Sequence, residues 1–182
     1  MIYPRPVDYP IDYCFEGEEF EKNGKRLEQS FFGFTFKNEN LNRQFVIDYY
    51  RSNIGFGEAL AQVMIYGPNF FPNWNSSLPD NNTYAKWLYF QVRQTLTDLK
   101  IPGDLKIYPC LGFPFDVCHG VDGFFKLGDT KYCFFDVTAF RPPDDPLKSQ
   151  PNVVVIHEVE IGYMYRPHAE ELINKIVDQL KD

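Results

Sequence analysis

Histidine and cysteine are scarce in this chain: 182 residues include 3 His and 4 Cys. Cys14, Cys110, Cys118 and Cys133 contain no CxxC pair. Zinc held by Cys110, Cys118, His119 and Cys133 is therefore conceivable on composition only, because structural zinc sites draw their ligands from tight pairs. Three of these cysteines lie in or beside apolar runs, where a free thiol acts as a small hydrophobe. Phosphate-loop, nucleophile-elbow, dinucleotide-binding and HExxH patterns are all lacking, which removes the usual marks of nucleotide binding, serine hydrolysis, dinucleotide redox and zincin chemistry. No apolar run reaches membrane-helix length, and the opening MIYPRPVDYP has no basic-then-apolar layout. The expectation is a cytoplasmic protein without membrane contact and, in that compartment, without disulfides. Positive charge is short as well: 18 Lys and Arg against 25 Asp and Glu give a net charge of -7. That balance opposes long-range attraction to a phosphate backbone. A nucleic acid partner would have to be met by Lys22, Lys25, Arg26 and their neighbours, or by aromatic stacking on single strands.

Apolar and aromatic residues are abundant. Hydrophobic residues make up 44% and aromatic ones 18%, with 18 Phe and 12 Tyr, which is enough for a packed core and argues against disorder. The length suits a single domain over residues 1–182. Prolines 4, 6 and 10 and an acidic stretch mark residues 1–28 as an extended N-terminal arm. The Phe-rich segment 29–36 predicts a strand, and helical spacing recurs over 41–50, 57–66 and 83–100. In the last of these, Trp87, Leu88, Gln91, Val92, Thr95, Leu96 and Leu99 share a face, and Pro102-Gly103 ends the run. Residues 67–82 read as a loop. Its Phe70, Phe71 and Trp74 either tuck back or offer a surface for a protein partner or a homo-oligomer.

The second half, 101–182, predicts a sheet-rich core closed by a helix. Leu105 to Tyr108 is a short strand, and residues 111–117 lead into the next one. Residues 141–151 read as a proline-rich loop, and 152–165 as a strand whose first part is fully buried and whose second half carries His157, Glu158 and Glu160. From Pro167 onward, Leu172, Ile173, Ile176, Val177 and Leu180 draw an apolar stripe that should lie on the sheet. The summed pattern is an α+β (or α/β) domain with one mixed central sheet of about four to five strands flanked by helices.

The centre of interest is HGVDGFFKLGDTKYCFFDVTAF, residues 119–140. Gly128-Asp129-Thr130 separates two alternating apolar segments and predicts a β-hairpin. Each arm carries an aspartate, Asp122 and Asp136, inside an apolar run where a charge is costly unless it is paired or holds a metal. Asp122, Phe124 and Lys126 share one face of the first arm, and Tyr132, Phe134, Asp136 and Thr138 one face of the second. Those faces coincide in one register and oppose each other in the next. If they coincide, the two carboxylates supply hard oxygen ligands for Mg²⁺ or Mn²⁺. Otherwise they cap turns or pair with nearby basic residues. His119 precedes Asp122 and either orients a site or sits as a satisfied strand-edge histidine.

Val121-Asp122 and Asp136-Val137-Thr138 resemble the two motif elements of the PD-(D/E)xK nuclease superfamily, with Thr138 standing where lysine usually does. The resemblance implies a restriction-endonuclease-like core and divalent-metal-dependent phosphodiester hydrolysis. Within it, Asp122 and Asp136 are the implied metal ligands, and Lys126, Thr138 and an early-helix acid, Glu58, the assisting groups. The departure at Thr138 leaves metal binding better supported than turnover. A binding or assembly protein of a mobile element or virus on the same scaffold is the alternative.

Overall fold

Four strands form one mixed sheet in the order β1-β2-β3-β4. They are β1 (Leu105–Pro109), β2 (Gly123–Leu127), β3 (Lys131–Thr138) and β4 (Val153–His157). The computed structural model describes residues 31–33, 54–70, 74–77, 79, 83–138, 153–157 and 166–181. Its helices are α1 (Phe56–Phe70), α2 (Tyr84–Asp98), the short α3 (Pro114–His119) between β1 and β2, and α4 (Arg166–Lys181). β1, β2 and β3 form an antiparallel meander, and β4 runs parallel to β3. The chain is thus an α+β domain with a mixed sheet and flanking helices, and all its described strands fall within the expected sheet-rich second half. None of the described helices is long and apolar enough to cross a membrane.

Strand alternation divides the side chains between two faces. Ile107, Phe125, Cys133, Phe135, Val137, Val154 and Ile156 are buried on one of them. There α4 packs on β3 and β4 and against α2, which also contacts β1. Leu172, Ile173, Ile176, Val177 and Leu180 are all buried, so the predicted stripe is the seam between α4 and the sheet. On the opposite face α1 meets α3, and their aromatic rings cover the strands. Phe56 and Phe115 stand 5.0 and 5.5 Å from Phe134, centroid to centroid.

Several elements differ from expectation. Phe31 and Phe32 are helical and Gly33 turns at φ 75°, so these residues are not part of a strand. Both rings are buried, and Phe32 lies 6.1 Å from Phe135, so packing rather than β-propensity decides this segment. α1 continues through Gly67 and Pro68 to Phe70, beyond the expected boundary at Tyr66. Residues 114–119 form a helix, with Pro114 in its first turn and left-handed Gly120 (φ 64°) closing it.

Trp74 folds back onto the edge strand β1. Its Nε1 donates to the Ile107 carbonyl at 2.9 Å, and the Ile107 N–H donates to the Ser76 carbonyl at 3.0 Å. The outward backbone groups of an edge strand are thereby satisfied by the loop, and Trp74 is not a projecting partner surface. Expectations for the arm 1–28, the helix 41–50, Lys22, Lys25, Arg26, Phe71, the loop 141–151, Glu158 and Glu160 fall outside the described residues.

α2 starts at the Thr83 cap, whose hydroxyl accepts the Lys86 N–H at 3.2 Å. Its buried face is Tyr84, Ala85, Leu88, Tyr89, Val92 and Leu96. This stripe is rotated from the expected one, with Leu99 left 51% exposed. Tyr89 carries the rotation. Its hydroxyl is hydrogen-bonded with the carbonyls of Ser77 at 2.8 Å and Leu105 at 3.1 Å, so a polar tip is accommodated in the core. Ile176→Ala should cost about 2–5 kcal/mol of unfolding free energy. Leu99→Ala should stay within about 0.5 kcal/mol. Urea unfolding monitored by tryptophan fluorescence checks both.

Candidate functional site

The register answers the question left open by the hairpin loop. Phe124 is paired with Phe134 and Lys126 with Tyr132. The face of Phe124 and Lys126 is therefore that of Tyr132, Phe134, Asp136 and Thr138. Asp122 stands immediately before β2, where the ladder changes. Its N–H donates to the Phe135 carbonyl at 3.0 Å, although the register pairs Phe135 with Gly123. Two successive residues thus face one on β3, the geometry of a β-bulge.

Asp122 is a three-way node. Its carbonyl accepts the Cys110 N–H at 2.8 Å, which carries the β1/β2 ladder one step beyond the strands. Its Oδ2 accepts the Val137 N–H at 2.7 Å. By that point the β2 chain has already turned away, since the Val121 N–H donates to the Phe115 carbonyl at 3.3 Å in the α3 cap. A side-chain oxygen therefore does the work of the missing ladder carbonyl. Asp122 is 2% exposed, and this backbone bond accounts for part of how a charged group is accommodated there.

Gly123 makes the approach possible. A Cβ at this position would lie 2.5 Å from Phe135 Cζ and 2.7 Å from Phe32 Cζ. Only glycine lets both rings cross the chain beside the bulge. The Asp-Gly pair was the sequence signal for this irregularity.

Asp136 differs from Asp122. It is 3% exposed, and its carboxylate makes no hydrogen bond or ion pair with the described residues. It is adjacent in sequence to Val137, the donor to Asp122, so the hydrogen bond draws the two acidic positions to one place on the sheet. Thr138, 9% exposed, follows on the same face and is paired with His157 of β4.

The other nominated residues do not join them. Lys126 Nζ lies 3.8 Å from Asp129 Oδ1, at the hairpin end of β2. Four residues of extended strand, about 13 Å, separate its backbone from Asp122. Glu58 is exposed in the first turn of α1, and no group of three His, Cys, Asp or Glu among the described residues is placed to hold a metal. Glu58 is therefore not a third ligand beside both aspartates, because it remains where it suits the positive end of the α1 dipole. The cysteine and histidine set nominated for zinc is likewise not assembled. Cys110 and Cys133 are buried free thiols whose pKa values are pushed well up by desolvation, so both remain protonated hydrophobes.

Two carboxylates are hard oxygen donors that suit Mg²⁺ or Mn²⁺. Mg²⁺ is often held by only one or two protein carboxylates, with water and phosphate oxygens completing its shell. The residues present fit such an ion and do not fit zinc. No protein-family model, curated protein or solved structure matches this chain.

The two aspartates should respond differently to substitution. Asp122→Ala leaves the buried Val137 N–H without its acceptor and should cost about 1–3 kcal/mol, much of it recovered in Asp122→Asn, whose amide oxygen still accepts. Metal-free Asp136→Asn should be neutral or stabilising, since it removes a buried charge that has no donor among the described residues. Chemical denaturation in chelator checks this, and equal losses at both positions would contradict the assignment.

Proposed function

We propose that this chain is a catalytically weakened relative of the divalent-metal-dependent PD-(D/E)xK nucleases, and that Asp136 and Asp122 hold Mg²⁺ or Mn²⁺ at the bulge. The observation that carries the reading is a pair of buried acids at the bulge: Asp136, without a hydrogen bond or ion pair from the described residues, immediately precedes Val137, whose N–H the Asp122 carboxylate accepts. Two hard carboxylate ligands brought to one place on the sheet suit a divalent cation, whose charge would offset theirs. The mixed sheet supports the same reading, with one acid on β3, the other at the bulge just before β2, and β4 parallel to β3.

Weak or absent turnover follows from the groups around the acids. Thr138 offers a neutral hydroxyl where the superfamily motif has an ammonium, and the Lys126 ammonium pairs with Asp129 at the far end of β2. When bound, the cation would polarise a phosphodiester and lower the pKa of a coordinated water. The chain's own part is to fix the Asp122 carboxylate through the hydrogen bond from Val137, the residue next to Asp136. With a net charge of -7, nucleic acid would be met through the cation and local contacts rather than by long-range steering.

A second reading, a binding or assembly protein without metal, draws on Ile65 and Tyr66, which are 64% and 56% exposed on the outer side of α1. Mn²⁺ separates the two. At about a hundredfold excess over its dissociation constant, a cation confined to the folded state contributes about 2.7 kcal/mol. For a domain of this size that raises the melting temperature by about 5–10 °C. The rise should vanish in Asp136→Asn, and nicking of supercoiled plasmid by the parent should be weak or absent. Strong nicking would overturn the weakened assignment. No Mn²⁺ shift in the parent would overturn the metal site and favour the second reading.

A further inference from the structure

His119 is the last residue of α3, and its ring is wedged between two helices. Phe56, at the start of α1, lies 5.5 Å away with an interplanar angle of 76°, and Phe115 of α3 lies 6.0 Å away at 59°. Phe56 in turn meets Phe134 of β3 at 5.0 Å. The imidazole is also bonded to the backbone of Ile54, just before α1. The other ring nitrogen, Nε2, is buried and has no hydrogen-bond partner. These contacts describe a neutral imidazole that donates Nδ1–H to the Ile54 carbonyl and leaves the bare Nε2 lone pair among phenyl rings.

We propose that His119 is a proton-sensitive clasp: neutral, it holds the start of α1 against the end of α3, and protonation in mildly acidic solution loosens that contact together with the α3 cap leading into Asp122.

The reason is the absence of an acceptor for the second proton. A protonated ring carries a donor at each nitrogen. The titratable groups on the surrounding elements are Glu58 on α1, Asp116 and Cys118 on α3, Asp122 at the bulge, and Lys126, Tyr132 and Asp136 on the strand face. None of them bonds Nε2. Asp116 is held by the Gly112 N–H at 2.8 Å, and Glu58 is exposed. An imidazolium on this half-buried ring would carry an unmet donor at the buried Nε2, while opening of α1 from α3 gives it water.

Desolvation lowers the His119 pKa below its ordinary value, and the bond to Ile54 opposes part of that shift. In the window between the ordinary and the lowered value, the opened state binds a proton that the closed state does not. The clasp is therefore fully stabilising above the ordinary histidine pKa and weakens as pH falls through the window. The site reached is Gly120-Val121-Asp122. The Gly120 N–H bonds the Asp116 carbonyl at 2.8 Å and the Val121 N–H bonds the Phe115 carbonyl, so the path from α3 to Asp122 runs through this cap.

Hydrogen exchange without added metal tests the proposal independently of the cation reading. Going from about pH 7.5 to about pH 5, above the ordinary carboxylate range, amide exchange in α1 and α3 corrected for intrinsic rates should rise about tenfold for each unit of pKa depression traversed. Exchange in α2 and α4 should change little. In His119→Phe, which keeps an aromatic ring but cannot titrate, the pH-dependent rise should disappear. An NMR titration of the parent's ring protons should place the His119 pKa below its ordinary value, and this readout does not depend on the variant folding. A His119 pKa at or above the ordinary value, a uniform rise across all helices, or a rise that persists in His119→Phe would each overturn the proposal.

Discussion

The hydrogen bond from the Val137 N–H to the Asp122 carboxylate joins the fold to its candidate chemistry. It completes β3 where β2 has left the ladder, and it holds a charge inside the sheet by giving it a backbone donor. Around it the Cys110 and Phe135 bonds to the Asp122 backbone tie three strands to one residue. Gly123 and the left-handed Gly120 on either side let the chain make the bulge and leave α3. Asp122 thus serves the architecture whatever else it does.

Asp136 has no such structural employment among the described residues. It is buried on the same sheet, in a chain already negative overall, and immediately precedes the residue whose N–H the Asp122 carboxylate accepts. This inequality between two acids of similar burial is the physical content of the candidate site. One carboxylate is engaged by backbone, and the other has the hard oxygen chemistry that the proposed divalent ion would use. The hydrophobic enclosure that makes this costly also produces His119, where an apolar wedge leaves one ring nitrogen bare. On this face of the sheet aromatic packing takes precedence over polar satisfaction at His119.

The hairpin was legible from its alternation and its Gly-Asp-Thr break, and α4 from its Leu172 to Leu180 stripe, because a periodic pattern that faces a core must bury one side. α2 was legible as a helix but not in rotation, since the Tyr89 phenol reads as polar until two carbonyls are seen to take its hydroxyl. The Phe-rich segment at 31–33 misled because aromatic residues favour strands in general, while here the rings of Tyr84 and Phe135 recruit them as a packing turn. Lys126 was placed on the correct face, but face alone does not measure distance along the strand. The hairpin geometry pairs its ammonium with Asp129.

By itself, the sequence determined the α+β character of this protein, its hairpin and the presence of two acids in apolar runs, because composition and period act locally along the chain. Tertiary structure alone decided the register that puts Phe124 opposite Phe134, the bulge at Asp122 and the separate circumstances of the two aspartates. Register and bulge depend on which rings fill the space across the sheet and which carbonyl is missing at a strand end, and neither quantity is carried by any one stretch of residues.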